Sequence, residues 1–223
     1  MRTLIVSAGK NTRFGDEKAL QKINNIENIV NTYNVFSPFS THMYVAIRQE
    51  KEMLYKNVLP KATFILLTNS FGEGQAVRDS LQQLPNDKYL IVWGDMVIQD
   101  NTFVKPFLQE TIEDRLNVLT KYENNPGLCY ITDEHSFITA PLHPGKRAFN
   151  IPRGINDKGV YVTNRNFILP FLNELKVNED GEYKMLESTI SMYQHGVPAK
   201  AIVIDSTNIQ TFNTIQELKK IKG

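Results

Sequence analysis

The sequence predicts an α/β fold, with a mixed, mainly parallel sheet in three layers and helices on both of its faces. Apolar runs of four or five residues recur along the first half of the chain, and their hydrophobicity is continuous, which is typical of strands covered on both faces. Helical stretches lie between them, and strand–helix alternation produces parallel sheets with right-handed crossovers. The predicted strands are TLIV (3–6), MYVAI (43–47), TFILL (63–67), YLIVW (89–93) and LNVLT (116–120).

Two segments between or after these strands have clear helix signals. Residues 74–84 place Val77 and two leucines on one helical face. The pair Asp100-Asn101 is a capping signal for a helix over residues 101–110. Both helices would pack an apolar side against the sheet.

The second half of the chain begins with a different kind of segment. Residues 121–155 contain several prolines and scattered glycines, so we expect a loop-rich insertion in which SFIT is the clearest strand. After it we expect the strands GVYVT (159–163) and AIVI (201–204), with helices over 165–176, 184–195 and the terminal residues. No repeat or long linker divides the chain, which predicts one domain over residues 1–223.

Composition limits the partners to be expected. The formal net charge of +1 gives no reason to expect a nucleic acid or a membrane surface. No apolar run approaches the roughly 20 residues of a membrane span, and the first residues do not have a signal-peptide pattern. The one cysteine, Cys129, excludes an intrachain disulfide framework and fits a reducing compartment. We therefore expect a cytoplasmic protein; a monomer and a homodimer are both compatible with the sequence.

The end of the first predicted strand is a candidate phosphate site. Parallel α/β sheets bind ligands at the carboxyl ends of their strands. The small residues Ser7, Ala8 and Gly9 would let backbone N–H groups approach anionic oxygens. Arg13 and Lys18 would add positive charge. The alternative is an ordinary solvated loop between a strand and a helix.

Two further strand ends add to this interpretation. Gly72-Glu73-Gly74 precedes a helix, where two glycines would admit a flat base or a phosphate, or would form a plain cap. Asp95 follows the fourth strand and would suit a hard cation, although a capping Asp is about as common. Because all three strand ends lie on one edge of the sheet, together they favour a single binding site.

These segments resemble the nucleotidyltransferases with a glycosyltransferase-A-like Rossmann fold, which join a nucleoside triphosphate to a phosphorylated acceptor and release pyrophosphate. LIVSAGKNTRF…EKAL is similar to their Ala-Gly-x-Gly-Thr-Arg…Pro-Lys signature, FGEGQAVRDSL to their Gly-Thr-x-x-Ala segment, and IVWGDMVI to their Gly-Asp strand end. The likeness is greatest to the uridylyltransferase domain of bacterial N-acetylglucosamine-1-phosphate uridylyltransferases. It extends through residues 156–196 and the terminal TFNTIQELKKI.

The resemblance implies a role for each matching position. Arg13 and Lys18 would contact phosphates in the catalytic step. Asp95 would bind Mg²⁺, with Asn213 as the second ligand and Asp205 as the alternative. The residues implied in nucleotide binding are Ser7, Ala8, Gly9, Lys10, Asn11, Thr12, Gly72 and Glu73.

The acceptor side is expected within or after the insertion. The residues assigned to it are Lys146, Arg147, Arg153, Asp157 and Glu182. The first three make their segment locally basic, which suits an anionic acceptor, and a solvated basic loop is the alternative. The acceptor would be a sugar 1-phosphate, phosphocholine or a similar small phosphorylated metabolite, with CTP or UTP as donor. The resemblance also implies a role in surface-polysaccharide biosynthesis.

The sequence departs from the family signature at three positions. Asn11 replaces the second glycine, and Asn tolerates left-handed backbone angles, so the turn is expected to survive. Glu17 replaces the proline before the signature lysine, and Ser70 stands where relatives often have a base-reading glutamine. Two other functions remain open. A glycosyltransferase would normally carry Asp-x-Asp, which Asp95 and Val97 do not form, and a non-catalytic nucleotide sensor would not need both Lys18 and Asp95.

Overall fold

A computed structural model describes residues 1–9, 14–142, 151–179, 181–212 and 214–222. The strands in these ranges are β1 (Arg2–Ser7), β2 (Lys22–Ile23), β3 (Ile26–Glu27), β4 (Met43–Arg48), β5 (Thr63–Leu67), β6 (Lys88–Trp93), β7 (Val97–Ile98), β8 (Asn117–Asn124), β9 (Cys129–Thr132), β10 (Ile138–Leu142), β11 (Arg153–Asn164), β12 (Lys200–Val203) and β13 (Ile209–Gln210). The helices are α1 (Asn28–Phe36), α2 (Glu52–Val58), α3 (Glu73–Gln82), α4 (Val104–Gln109), α5 (Arg165–Asn173), α6 (Ser188–Gln194) and α7 (Ile215–Lys222). In the part of the chain so described, no helix has the length and apolarity needed to cross a membrane.

The central sheet is mixed and mainly parallel, as the sequence predicts. Its order is β10-β9-β11-β6-β1-β4-β5, with β8 paired to β11 and β12 paired to β8. Strands β6, β1, β4 and β5 are parallel neighbours. Strand β11 runs antiparallel to both β6 and β8, so β8 and β12 point the same way as β6. The carboxyl ends of β1, β5 and β6 therefore meet at one edge.

Each central strand contributes side chains to both faces, which explains its continuous hydrophobicity. On β1, Leu4 and Val6 pack in a core with residues of α3, α5 and α6. The intervening Ile5 packs on the other face with residues of α1, α2 and α4. Two apolar layers therefore enclose the sheet, and the predicted helices on both faces are confirmed.

Several helices are shorter than predicted. Helix α4 begins at Val104 because the Oδ1 atom of Asp100 accepts hydrogen bonds from the backbone N–H of Thr102, at 3.0 Å, and from its hydroxyl. This local turn replaces the first turn of the predicted helix. The segment predicted as a helix over 184–195 starts with a 3₁₀ turn, Met185–Glu187, and continues as α6.

The prediction of a loop-rich segment over residues 121–155 is wrong for most of its described residues. They form the end of β8, all of β9 and β10, and the start of β11. Asn125 and Ser136 adopt positive φ in the connecting turns, at 49° and 65°. Pro141 is tolerated because β10 is an edge strand of the sheet order. Residues 143–150 lie outside the described ranges.

Candidate active site

The carboxyl ends of β1 and β6 are packed directly against each other. The N–H of Gly94 donates a hydrogen bond of 2.9 Å to the carbonyl of Val6. A Cβ at Gly94 would lie 2.7 Å from the Cδ1 atom of Ile29 and 3.0 Å from the Cβ of Ser7, so a larger residue would push the two strand ends apart. Glycine at this position therefore places the following Asp95 beside the segment that leaves β1.

Lys18 and Asp95 meet at this edge of the sheet. The Nζ atom of Lys18 lies 2.7 Å from the Oδ2 atom of Asp95, and it donates a 3.0 Å hydrogen bond to the carbonyl of Phe212. Lys18 also lies over the ring of Phe212, with its Nζ atom 5.6 Å from the centroid. Its side chain is mostly buried, whereas the Asp95 side chain is 38% exposed. Two residues predicted from separate motifs thus form one charged pair that is open to a ligand on the aspartate side.

The described start of the predicted phosphate segment consists of Ser7, Ala8 and Gly9. Gly9 is exposed and its carbonyl accepts a 3.3 Å hydrogen bond from Lys51, while Ala8 is buried. The hydroxyl of Ser7 is directed into the protein, where it hydrogen bonds the hydroxyl of Tyr55 at 2.6 Å. Ser7 therefore offers a ligand its backbone rather than its side chain. The predicted residues Lys10, Asn11, Thr12 and Arg13 lie outside the described ranges.

Gly72 and Gly74 accommodate the protein's own chain, where the sequence had suggested room for a base. Gly72 has a φ of 102°, and a Cβ there would lie 2.5 Å from the carbonyl oxygen of Tyr183. The N–H of Gly74 donates to this carbonyl at 2.9 Å, and the N–H of Tyr183 donates to the carbonyl of Phe71 at 2.7 Å. The two glycines thus allow the segment around Tyr183 to lie against the start of α3, next to Glu73.

Glu73 begins α3 in a partly buried position near other carboxylates. Burial raises the pKa of Glu73 to about 7, and the neighbouring carboxylates of Glu182 and Asp157 add to the rise. Its own backbone N–H and the ammonium of Lys184 act in the opposite direction. The carboxyl is therefore protonated in the folded protein at pH values where an exposed glutamate is ionised.

Replacing Glu73 with glutamine is expected to stabilise the protein at pH 8 and not at pH 5. Between pH 4.5 and about 7 the unfolded chain ionises while the folded carboxyl keeps its proton, so wild-type stability falls as the pH rises and the loss is complete above about pH 7. Glutamine avoids this loss, which is at most about 3 kcal/mol. Urea unfolding at both pH values measures it, with Glu134→Gln, an exposed glutamate, as the control. An equal gain at pH 5 and pH 8 would contradict the prediction.

Asp157 is held by two tyrosines and one backbone N–H. Its Oδ2 atom accepts hydrogen bonds from the hydroxyls of Tyr130, at 2.5 Å, and Tyr161, at 2.8 Å, and its Oδ1 atom accepts one of 2.6 Å from the N–H of Gly159. Burial raises the pKa of Asp157, although these hydrogen bonds favour the carboxylate. The ring of Trp93, at the end of β6, packs 5.2 Å from that of Tyr161.

The sequence prediction included Asp157 but missed the aromatic residues around it. A Cβ on Gly159, which has a φ of 69°, would lie 2.5 Å from Trp93, so this glycine lets β11 approach the end of β6. The register of β11 shifts at this point. Tyr130 and Tyr161 occur in apolar strand sequences, whose pattern predicts side chains packed in the hydrophobic core. The irregularity at Gly159 was the available signal that their hydroxyls converge on one carboxylate.

The other described residues predicted on the acceptor side, Glu182 and Arg153, do not bond Asp157. The N–H of Glu182 donates a 3.1 Å hydrogen bond to the side chain of Asn178, and the charge of its carboxylate raises the pKa of Glu73. Arg153 lies four residues before Asp157 on the same extended strand, about 13 Å away. Its guanidinium is 5.2 Å from the centroid of the Tyr122 ring. Lys146 and Arg147 are outside the described ranges.

The donor set around Asp95 fits a magnesium ion that is bound mainly by its substrate. A carboxylate has about four lone-pair positions, so Asp95 retains capacity for a cation while it contacts Lys18. Across residues 1–9, 14–142, 151–179, 181–212 and 214–222, no group of three or more His, Cys, Asp or Glu side chains could hold a metal. Mg²⁺ commonly uses one or two carboxylates together with phosphates and water. Asn213 lies outside these ranges.

Cys129 and Asp205, which the sequence also singled out, both lie away from the Lys18–Asp95 pair. Cys129 is buried, and burial raises the pKa of its thiol, as suits a packing residue. Asp205 follows β12, which is separated from β6 by β8 and β11. Because neighbouring strands lie about 4.8 Å apart, three strand spacings put Asp205 about 14 Å from the end of β6.

This geometry agrees with comparisons to known proteins. Residues 3–189 match the family described as the MobA-like NTP transferase domain. The chain belongs to this family. It is an NTP transferase domain, that is, a nucleotidyltransferase, and the resemblance inferred from its strand-end motifs is confirmed.

Relatives of this NTP transferase domain include the bifunctional protein GlmU of Francisella tularensis subsp. novicida, which is 30% identical over 119 residues. The match covers 52% of this chain and 26% of that protein, so the chain matches about a quarter of the length of this curated relative. The chain is similar in structure to a putative glucose-1-phosphate thymidylyltransferase from Bacillus anthracis, with a TM-score of 0.80 and 16% identity; the match covers 100% of this chain and 94% of that one. It is also similar to the CTP:phosphocholine cytidylyltransferase LicC from Streptococcus pneumoniae, with a TM-score of 0.73 and 12% identity, covering 99% of this chain and 97% of that one. At these identities the likeness is one of fold, and it agrees with the Rossmann-like architecture described above.

Proposed function

We propose that this chain is a Mg²⁺-dependent nucleotidyltransferase that transfers a nucleoside monophosphate from CTP or UTP to a small phosphorylated acceptor and releases pyrophosphate. The observation that carries the proposal is the 2.7 Å contact between Lys18 and Asp95 at the carboxyl edge of the sheet. It joins a cation suited to phosphates and a carboxylate suited to Mg²⁺ at one point. Family membership supports the type of reaction.

The reaction requires little acid–base chemistry from the protein. A phosphate monoester acceptor is already ionised at neutral pH, so one of its oxygens attacks the α-phosphorus without a general base. The barrier comes from repulsion between two polyanions, and positive groups that hold both in line lower it. We assign this role to Lys18 and to Arg13, with the backbone from Ala8 to Thr12 holding the triphosphate.

The proposed metal would be bound by Asp95 and Asn213. Bound Mg²⁺ would neutralise phosphate oxygens and orient them. Asn213 is favoured over Asp205 because the preceding residue, Phe212, accepts a hydrogen bond from Lys18 at 3.0 Å. Asp205 lies across three strand spacings, about 14 Å away.

We place the acceptor on the side of the site lined by Asp157, Glu182 and Glu73. The carboxylates of Glu182 and Asp157 both raise the pKa of Glu73. Trp93, the last residue of β6, packs against the ring of Tyr161, whose hydroxyl bonds Asp157, so this side of the site lies next to the strand end that precedes Asp95. Hydroxyl or ammonium groups of a phosphorylated sugar, amino alcohol or choline would pair with these carboxyl groups. A role in surface-polysaccharide decoration in the cytoplasm, where nucleoside triphosphates are made, fits this chemistry.

A pyrophosphate-release screen tests the proposal. CTP, UTP, GTP and dTTP are each combined with glucose 1-phosphate, N-acetylglucosamine 1-phosphate, phosphocholine and phosphoethanolamine, with Mg²⁺ or with EDTA. We expect release with CTP or UTP and one class of acceptor, and loss of release in EDTA. Release that is independent of any acceptor, or nucleotide binding with no release for the whole set, would contradict the proposal.

A further inference from the structure

A buried polar network ties both flanks of the predicted phosphate segment to one part of the fold. The hydroxyl of Tyr55, on α2, donates a 3.0 Å hydrogen bond to the carboxylate of Glu17 and bonds the Ser7 hydroxyl at 2.6 Å. Lys51, in the turn that leads into α2, forms an ion pair with Glu17 and donates a 3.3 Å hydrogen bond to the carbonyl of Gly9. Gly9 and Glu17 flank residues 10–16, and Lys18 follows directly.

The network is more than a surface ion pair. Glu17 is 7% exposed and Tyr55 is fully buried. Burial and the charge of Glu17 raise the pKa of Tyr55, so its hydroxyl stays protonated and acts as a donor. A buried carboxylate beside a triphosphate site would repel the ligand, and the ammonium of Lys51 offsets that charge at the position where it arises.

We propose that Lys51 and Tyr55 are positioning residues for the nucleoside triphosphate, acting through Glu17 and Gly9. By fixing Gly9 and Glu17, they hold the two described ends of the predicted phosphate segment and orient the turn that carries Lys18. Glu17 is also where the sequence departs from the family signature, which has proline there. In this protein, side-chain contacts from α2 fix the position. The inference rests on the proposed function, because it concerns that same nucleotide site.

The first test removes only a hydroxyl. Tyr55→Phe is compared with Tyr89→Phe, which removes the hydroxyl of another fully buried tyrosine, bonded at 2.8 Å to the carbonyl of Pro85 near the opposite edge of the sheet. Titration calorimetry with Mg²⁺–CTP and Mg²⁺–UTP measures the affinity. We expect Tyr55→Phe to raise the Kd of the nucleotide about tenfold, as for the loss of one hydrogen bond to a charged group, and Tyr89→Phe to leave it unchanged.

A second pair of variants keeps the test independent of folding defects. Lys51→Met removes the charge on a partly exposed side chain, and Lys51→Arg retains it. We expect Lys51→Met to raise the KM for the nucleotide without changing the KM for the acceptor, and Lys51→Arg to restore most of the loss. If the residues had only a structural role, the variants would have a lower melting temperature but the same nucleotide Kd as the wild type.

The outcomes separate this inference from the proposed function. If the wild type binds nucleotide and releases pyrophosphate while Tyr55→Phe and Lys51→Met bind as tightly as the wild type, the positioning role is wrong and the function stands. If the wild type binds nucleotide without any release and the variants bind more weakly, the function is wrong and the positioning role stands. If the wild type binds neither nucleotide, both are wrong.

Discussion

Replacing Asp95 with asparagine is expected to lower kcat/KM for pyrophosphate release by about a thousandfold or more, because the variant loses the charge that would hold Mg²⁺ against the phosphates. The fold should remain, since Asp95 is 38% exposed and asparagine has the same shape. Steady-state assays across a range of Mg²⁺ concentrations measure the loss. Excess Mg²⁺ should recover part of the activity, because the amide oxygen is a weaker ligand for the same ion.

A matched control distinguishes this effect from a general loss of charge. Asp114→Asn changes an exposed aspartate in the turn before β8, at the opposite edge of the sheet. Its φ of 50° suits asparagine as well as aspartate. We expect wild-type kinetics for this variant. Equal activity of Asp95→Asn and wild type at every Mg²⁺ concentration would show that Asp95 is not the metal ligand.

Replacing Lys18 with methionine is expected to lower kcat/KM by about 10²–10³-fold, the loss typical of a single group that stabilises transition-state charge. The methionine would keep the packing of the lysine stem on Phe212, whose ring lies 5.6 Å from the ammonium, so circular dichroism and the melting temperature should change little. Lys18→Arg should recover activity only in part, because the larger planar guanidinium does not reproduce a point charge.

Two further measurements sharpen this prediction. Lys88→Met is the control, because Lys88 also contacts a carboxylate, that of Glu113 at 2.6 Å, but lies at the start of β6. It should retain full activity. The double variant of Lys18 and Asp95 should lose less than the product of the two single losses, because each variant already disrupts the shared 2.7 Å pair. Full additivity would mean that the two residues act at separate places.

The sequence was a good guide where local pattern and fold agree. Continuous apolar runs identified the five predicted strands, now seen as β1, β4, β5, β6 and β8, because a strand buried on both faces requires them. The position of Lys18 and Asp95 at one edge was also predicted, since segments that leave the carboxyl ends of parallel strands share an edge whatever their separation along the chain. Their direct 2.7 Å contact was not predicted.

Features that depend on long-range packing were missed or misread. The hairpin strands β9 and β10 are short, and β10 contains Pro141, so only SFIT at the start of β10 was predicted as a strand and the rest resembled a loop. The sequence left a base, a phosphate and a plain cap open at the glycines 72 and 74, and it gave no sign that the segment around Tyr183 packs against them. The bonds from Tyr55 and Lys51 to Glu17 span more than 30 positions, and nothing near Tyr55 distinguishes it from a core tyrosine.

The central claim is that this protein transfers the nucleoside monophosphate group of a nucleoside triphosphate to a phosphorylated acceptor, with pyrophosphate as the leaving group. Position-specific labelling tests it most directly. CTP or UTP carrying ³²P at the α or the γ position is incubated with Mg²⁺ and the acceptor found in the screen, and the products are separated. We predict that the α label moves into the acceptor product and the γ label into pyrophosphate, in equal amounts. Recovery of the γ label as inorganic phosphate, with the α label left in a nucleoside diphosphate, would contradict the account.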